Sequence, residues 1–102
     1  MRKDTSTKEK LQFASEVFRA FGNPVRLRIL DALKGDKIRV TELAEMLDYP
    51  QPIISQQLRI LKNAGIVQKV RDGNNYYYTL TDVNYTFVIQ CVKKCLGIAG
   101  SI

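Results

Sequence analysis

The chain has 102 residues, enough for one domain with a modest core and too few for two. Sixteen Lys and Arg against ten Asp and Glu leave a net charge of +6 and a pI near 9.5, a balance that favours a polyanionic partner. There is no histidine, which excludes Ser-His-Asp and Cys-His catalysis and removes the usual nitrogen ligand for zinc, copper or nickel. With no Gly-rich phosphate loop or paired-carboxylate cleft either, the sequence does not read as an enzyme. No apolar run approaches a membrane span and the N-terminus lacks a signal-peptide core, so a cytoplasmic protein with reduced thiols is expected.

The first residues, to about position 8, are polar and expected to fray. From Lys8 to Phe21, Leu11, Ala14, Val17, Phe18 and Phe21 recur at helical spacing, and Gly22 is placed to end that helix. Asn23 and Pro24 read as N-cap and first residue of a second helix carrying Val25, Leu27, Ile29, Leu30 and Leu33, ending near Lys34-Gly35. Arg26 falls inside its apolar arc, in the first turn, where the long side chain can still reach water. Residues 36–40 form a short extended connector or edge strand.

Residues 41–65 hold the organising motif. Thr41 is placed to cap a short helix with Leu43, Ala44 and Leu47 inward. Pro50 and Pro52 interrupt the pattern, and a second helix follows with Ile54, Leu58 and Leu61 inward until Gly65. The outward positions of this second helix are Gln51, Ser55, Gln56, Arg59 and Lys62, with no carboxylate among them. An apolar back and a hydrogen-bonding, cationic front suit the major groove of duplex DNA. This is the pattern of a helix-turn-helix.

Residues 66–80 change period. Ile66–Arg71 and Tyr76–Leu80 are strand-like around Asp72-Gly-Asn-Asn75, which predicts a β-hairpin with Lys69 and Arg71 on its first strand. Beside a helix-turn-helix such a hairpin is a wing, whose basic residues lie along the phosphate backbone. Residues 82–99 predict a last helix capped by Thr81-Asp82. Along it Val88, Cys91, Val92, Cys95, Leu96 and Ala99 form an apolar stripe too extensive for this small domain to cover. A second copy of the chain is the expected cover, giving a homodimer that sets two recognition helices one DNA turn apart on a palindromic operator.

The whole chain therefore reads as a single mainly α winged helix-turn-helix domain in the order α-α-α-α-β-β-α. Phe21-Gly-Asn-Pro-Val-Arg-Leu-Arg-Ile-Leu30, Val40-Thr-Glu-Leu-Ala44, Ile54-Ser-Gln-Gln-Leu58, Leu61-Lys-Asn-Ala-Gly-Ile-Val67 and Tyr77-Tyr-Thr-Leu80 together resemble the ArsR/SmtB-type family of winged-helix repressors. The resemblance implies a homodimeric repressor that leaves its operator when an inducer binds or a thiol is oxidised. By match to the family's recognition helix, it implies base reading by Gln51, Ser55 and Gln56. Phosphate contact would fall to Arg59, Lys62, Lys69 and Arg71.

The sequence departs from the family's metal motifs. Glu42–Leu47 contains no Cys-x-Cys, and the histidine positions of the last-helix zinc site are absent, leaving Asp82-Val-Asn84, Cys95 and Ile98. Cys91 and Cys95 remain, one helical turn apart, with Cβ atoms roughly 6 Å from each other. Two such thiolates can share a thiophilic centre such as As(III), or respond to oxidants and reactive sulfur, and neighbouring Lys93 and Lys94 would favour the thiolate. Packing is the competing role, because free cysteine behaves as a small buried hydrophobe. No cofactor is required.

Overall fold

The computed structural model describes residues 2–102, with side chains from residue 6. Five helices and one hairpin follow in the order α1 (Arg2–Phe21), α2 (Pro24–Ala32), α3 (Val40–Leu47), α4 (Gln51–Asn63), β1 (Val67–Asp72), β2 (Asn75–Leu80) and α5 (Asn84–Leu96). The expected α-α-α-α-β-β-α order and hairpin wing are both present. Helix α1 begins at Arg2, well before the expected Lys8. Residues 2–8, expected as a polar lead-in, are thus the first turns of α1, and Met1 lies outside the described residues.

The core is assembled around α2. Ile29, Leu30 and Leu33 are fully buried against Leu43 of α3 and Ile54, Leu58 and Leu61 of α4. Each such side chain contributes about 1.5–3 kcal/mol on burial. Asn23 caps α2 as expected, its Oδ1 accepting from the N–H groups of Val25 (2.9 Å) and Arg26 (3.1 Å).

Arg26 does something the sequence did not reveal. It does not run out to water but turns back, its Nε donating to the Ala20 carbonyl at 2.6 Å and its Nη1 to Gln57 Oε1 at 2.8 Å. One guanidinium thus satisfies an orphan carbonyl at the end of α1 and ties that end to α4.

The start of α3 also differs from expectation. Arg39 is its N-cap and Thr41 lies inside the helix, because Glu42 reaches back to accept the Arg39 N–H at 3.1 Å. The turn to α4 is short, with Asp48 in the left-handed region at φ 59°. Ile38 in the connector makes a single antiparallel bridge to Tyr78, joining the region before α3 to the wing.

The hairpin pairs Val67 with Leu80 at its base and Asp72 with Asn75 at its tip. A two-residue turn, Gly73-Asn74, closes it, and Gly73 takes the positive φ of 66° that a side chain would resist. At the base, the Thr81 hydroxyl donates to the Gly65 carbonyl at 2.7 Å, which holds the wing against the end of α4. Helix α5 is shorter than predicted at both ends. It starts at Asn84 after Val83 and stops where Gly97 turns left-handed at φ 70°, so Ile98 and Ala99 lie beyond it.

Candidate nucleic-acid interface

Helix α4 is built two-faced. Ile54, Leu58 and Leu61 have no solvent exposure, whereas Gln51, Gln56, Arg59 and Lys62 are exposed and Ser55 is half-buried beside them. All five sequence-predicted residues therefore share the outer side of one helix, anchored by its buried back. Gln57, one position on, faces inward enough to take the Arg26 guanidinium, so it is a strut and not part of the outer face. At one edge of that face, Ile53 and Ile60 are 38% and 39% exposed.

The wing carries its cations on a tyrosine platform. Lys69 Nζ lies 4.7 Å from the centre of the Tyr76 ring and the Arg71 guanidinium 5.9 Å from the same ring, within cation–π range. Strand alternation places Lys69 and Arg71 on one face, and Arg71 pairs with Tyr76 in the register. Arg71 Nε also donates to the Gly73 carbonyl at 2.9 Å, fixing its head near the turn. None of Arg59, Lys62, Lys69 and Arg71 is in an ion pair among the described residues.

Two further basic residues make contacts that the sequence does not reveal. Lys37, in the connector, bridges to Asp72 at 2.8 Å and lies over the Tyr77 ring at 4.8 Å. The hydrogen bond to Asp72 raises the Lys37 ammonium above its usual range, and the same contact lowers the Asp72 carboxyl. Arg28 donates to the Tyr49 hydroxyl at 3.3 Å, bracing the turn between α3 and α4. Only their spacing from the motif could have drawn attention to them, since both contacts join distant parts of the chain.

Helix α5 shows the opposite distribution to α4. Its inward face is Tyr85, Ile89 and Lys93; Tyr85 packs on Phe21 with ring centres 5.8 Å apart. Its exposed surface is rich in apolar groups, with Phe87 62% and Leu96 69% exposed, and Cys91 and Cys95 are exposed free thiols on the side opposite Ile89 and Lys93. On α1, Leu11 (64%) and Phe18 (67%) are likewise uncovered, so of the aromatic face predicted there only Phe21 is buried.

Lys93 corrects one expectation. Expected beside the cysteines as a cation favouring thiolate, it points away from them into the core, where its Nζ meets Asp31 Oδ1 at 3.0 Å. Lys94 alone remains as an exposed cation beside the pair. Among the described residues no three His, Cys, Asp or Glu side chains gather into a metal-holding cluster. No helix among them is long and apolar enough to cross a membrane.

The chain resembles known proteins along most of its length. Residues 23–69, from the cap of α2 to the first wing strand, match the family described as bacterial regulatory protein, arsR family. The HTH-type transcriptional regulator MJ1325 of Methanocaldococcus jannaschii is 45% identical over 76 residues, covering 72% of this chain and 85% of that one. The HTH-type transcriptional repressor SmtB of Mycobacterium tuberculosis is 39% identical over 82 residues; the match takes in 80% of this chain but 61% of the repressor. Among solved structures, the homodimeric winged helix-turn-helix DNA-binding domain of Mb0332 from Mycobacterium bovis superposes with a TM-score of 0.79. It is 25% identical, with 89% of this chain and 84% of that chain covered. A two-faced α4, a cationic wing and these likenesses lead to one assignment: the chain belongs to the ArsR family of bacterial regulatory proteins, as a transcriptional regulator and not an enzyme.

Proposed function

We propose that this regulator is a homodimeric, sequence-specific repressor that binds a palindromic duplex operator. One observation carries the reading: the outer face of α4 presents Gln51, Ser55, Gln56, Arg59 and Lys62 without a carboxylate, on a helix whose opposite side is completely buried. In this reading Gln51, Ser55 and Gln56 meet base edges in the major groove, where amide side chains pair bidentately with adenine. Arg59 and Lys62 flank them on phosphate, and Lys69 and Arg71 follow the backbone from the wing.

The exposed apolar residues of α1 and α5, Leu11, Phe18, Phe87 and Leu96, support a second copy as their cover. A twofold arrangement would repeat α4 at one-turn spacing, and the related Mb0332 domain is homodimeric. The test is selection from randomised duplex DNA with the full chain. An inverted repeat with half-sites about 10 base pairs apart is expected, with affinity falling steeply as salt rises. Recovery of no sequence above background would end the repressor reading.

Control is assigned to Cys91 and Cys95. Both thiols are free, exposed in the single chain and one turn apart on the face that a second copy would cover. A thiophilic ion such as As(III), or conversion by reactive sulfur or oxidant, would alter that face and release the operator. Two sulfurs of one chain leave room for a third from the other, which suits As(III). A second reading is favoured by the same placement: on an apolar face, cysteines can simply pack against the second copy, leaving regulation to another ligand or protein. Cys91→Ser and Cys95→Ser separate the two. The sensor reading expects unchanged operator binding and lost release by As(III) or persulfide; unchanged release in both variants makes the cysteines packing residues.

A further inference from the structure

We infer that Asp31 and Lys93 are a positioning pair that sets the angle between the DNA-reading unit and the helix joining the two copies, an inference that rests on the dimeric operator-binding reading above. Lys93 Nζ lies 3.0 Å from Asp31 Oδ1, with both side chains 4% exposed, and the two residues are 62 positions apart in sequence. The other carboxylate oxygen of Asp31 accepts the Ile102 backbone N–H at 3.1 Å, and Lys34 approaches Oδ1 at 3.6 Å from the solvent side. Asp31 sits on α2 between the fully buried Leu30 and Leu33, the helix on which α3 and α4 pack.

The pair is costly where an apolar pair would serve. Two buried charges of this kind are commonly matched or bettered in stability by aliphatic side chains of similar volume. What a hydrogen-bonded pair adds is direction, since any other register strands a charge in the core. Helix α5 has only two buried residues, Ile89 and Lys93, one turn apart. Ile89 and Tyr85, which packs on Phe21, are apolar contacts that set the angle of the helix only loosely; the directional bond from Lys93 to Asp31 is what would fix it.

The consequence is geometric. On α5 the exposed Cys91 and Cys95 lie nearly opposite Lys93, with Phe87 and Val92 to either side of them, and this face is the one available to a second copy. Any rotation of α5 against α2 is therefore passed to the separation of the two α4 helices. A pivot of about 10° acting over about 20 Å, the length of a 13-residue helix, displaces the far end by about 3.5 Å, one base-pair step.

The experiment compares Asp31→Leu/Lys93→Met with the unaltered chain, after sedimentation has verified the dimer and circular dichroism the fold. Binding is measured to the selected palindrome and to versions with half-sites one base pair closer or further apart. The unaltered chain is expected to prefer the native spacing by about ten-fold or more. The double variant is expected to bind all three spacings within about three-fold of one another, which a role in stability alone would not produce. Spacing preference retained in a folded, dimeric double variant overturns the inference. If the double variant does not fold, Asp31→Asn is read in the same way, with relaxed spacing supporting the inference and retained spacing overturning it. An unaltered chain with no operator preference at all would instead fail the repressor reading, so the two failures are distinct.

Discussion

Helices α4 and α5 have the same length, 13 residues each, and opposite construction. In α4 the three buried residues are aliphatic and the outer face is polar and cationic. In α5 a lysine goes inside while phenylalanine, leucine and two cysteines face outward. A helix arranged like α4 is complete in water and ready for a polar, anionic surface. One arranged like α5 is incomplete alone and calls for an apolar partner. The same protein thus presents one face matched to nucleic acid and another matched to a second copy of itself.

The contrast can be broken from the inside first. Lys93→Met leaves Asp31 buried without its ammonium partner, keeping the Ile102 N–H and the longer contact to Lys34, so a loss of about 3 kcal/mol is expected in urea unfolding, larger than for other changes on α5. Leu58→Ala removes a fully buried anchor of α4 and should lower stability by about 2–5 kcal/mol through transfer and cavity effects.

Changes on the outward faces should spare the fold and separate the two functions. Leu96→Glu places a charge on the exposed apolar face of α5; sedimentation equilibrium should show monomers at concentrations where the unaltered chain is dimeric, with circular dichroism unchanged. Gln56→Ala on α4 should weaken operator binding by about 1–3 kcal/mol and relax preference at one base pair, without affecting assembly. Arg59→Ala should weaken binding to all sequences alike and reduce the salt slope by about 1.

The smallest effect is one of pH. Burial would raise the Asp31 carboxyl, but the Ile102 N–H, the hydrogen bond from Lys93 and the charge of Lys34 outweigh it and hold the group below its ordinary value. Because the folded value is depressed, the unfolded chain binds the proton first. The contribution is therefore complete above the ordinary carboxylate range and lost as pH falls below about 4. Acid titration of stability should be shallower in Asp31→Asn than in the unaltered chain.

Much of this was legible in the residues because it depends on local pattern. The spacing of Ile54, Leu58 and Leu61 sets which side of α4 is buried, and so which side carries Gln56 and Arg59. Asn23 before Pro24 marks a helix start, and Gly73 marks a turn, for reasons contained within a few residues. The uncovered stripe on α5 was legible too, from the number of apolar positions a chain of 102 residues can bury. The cap of α3 was not, because Thr41 and Arg39 are both plausible starts until the Glu42 side chain chooses one.

What the tertiary structure alone decided are the polar contacts between distant segments. Arg26 to Ala20 and Gln57, Lys37 to Asp72 and Lys93 to Asp31 have no periodicity to announce them. A long cationic side chain at the edge of an apolar stripe can reach either water or a buried acceptor, and local spacing is the same in both cases. Which one it takes depends on whether folding brings an acceptor within about 3 Å. For Lys93 that acceptor was 62 residues away. The amphipathic pattern therefore specified the helices and their outer faces, and a buried ion pair between distant segments joined Ile89 and Tyr85 in holding α5 against them.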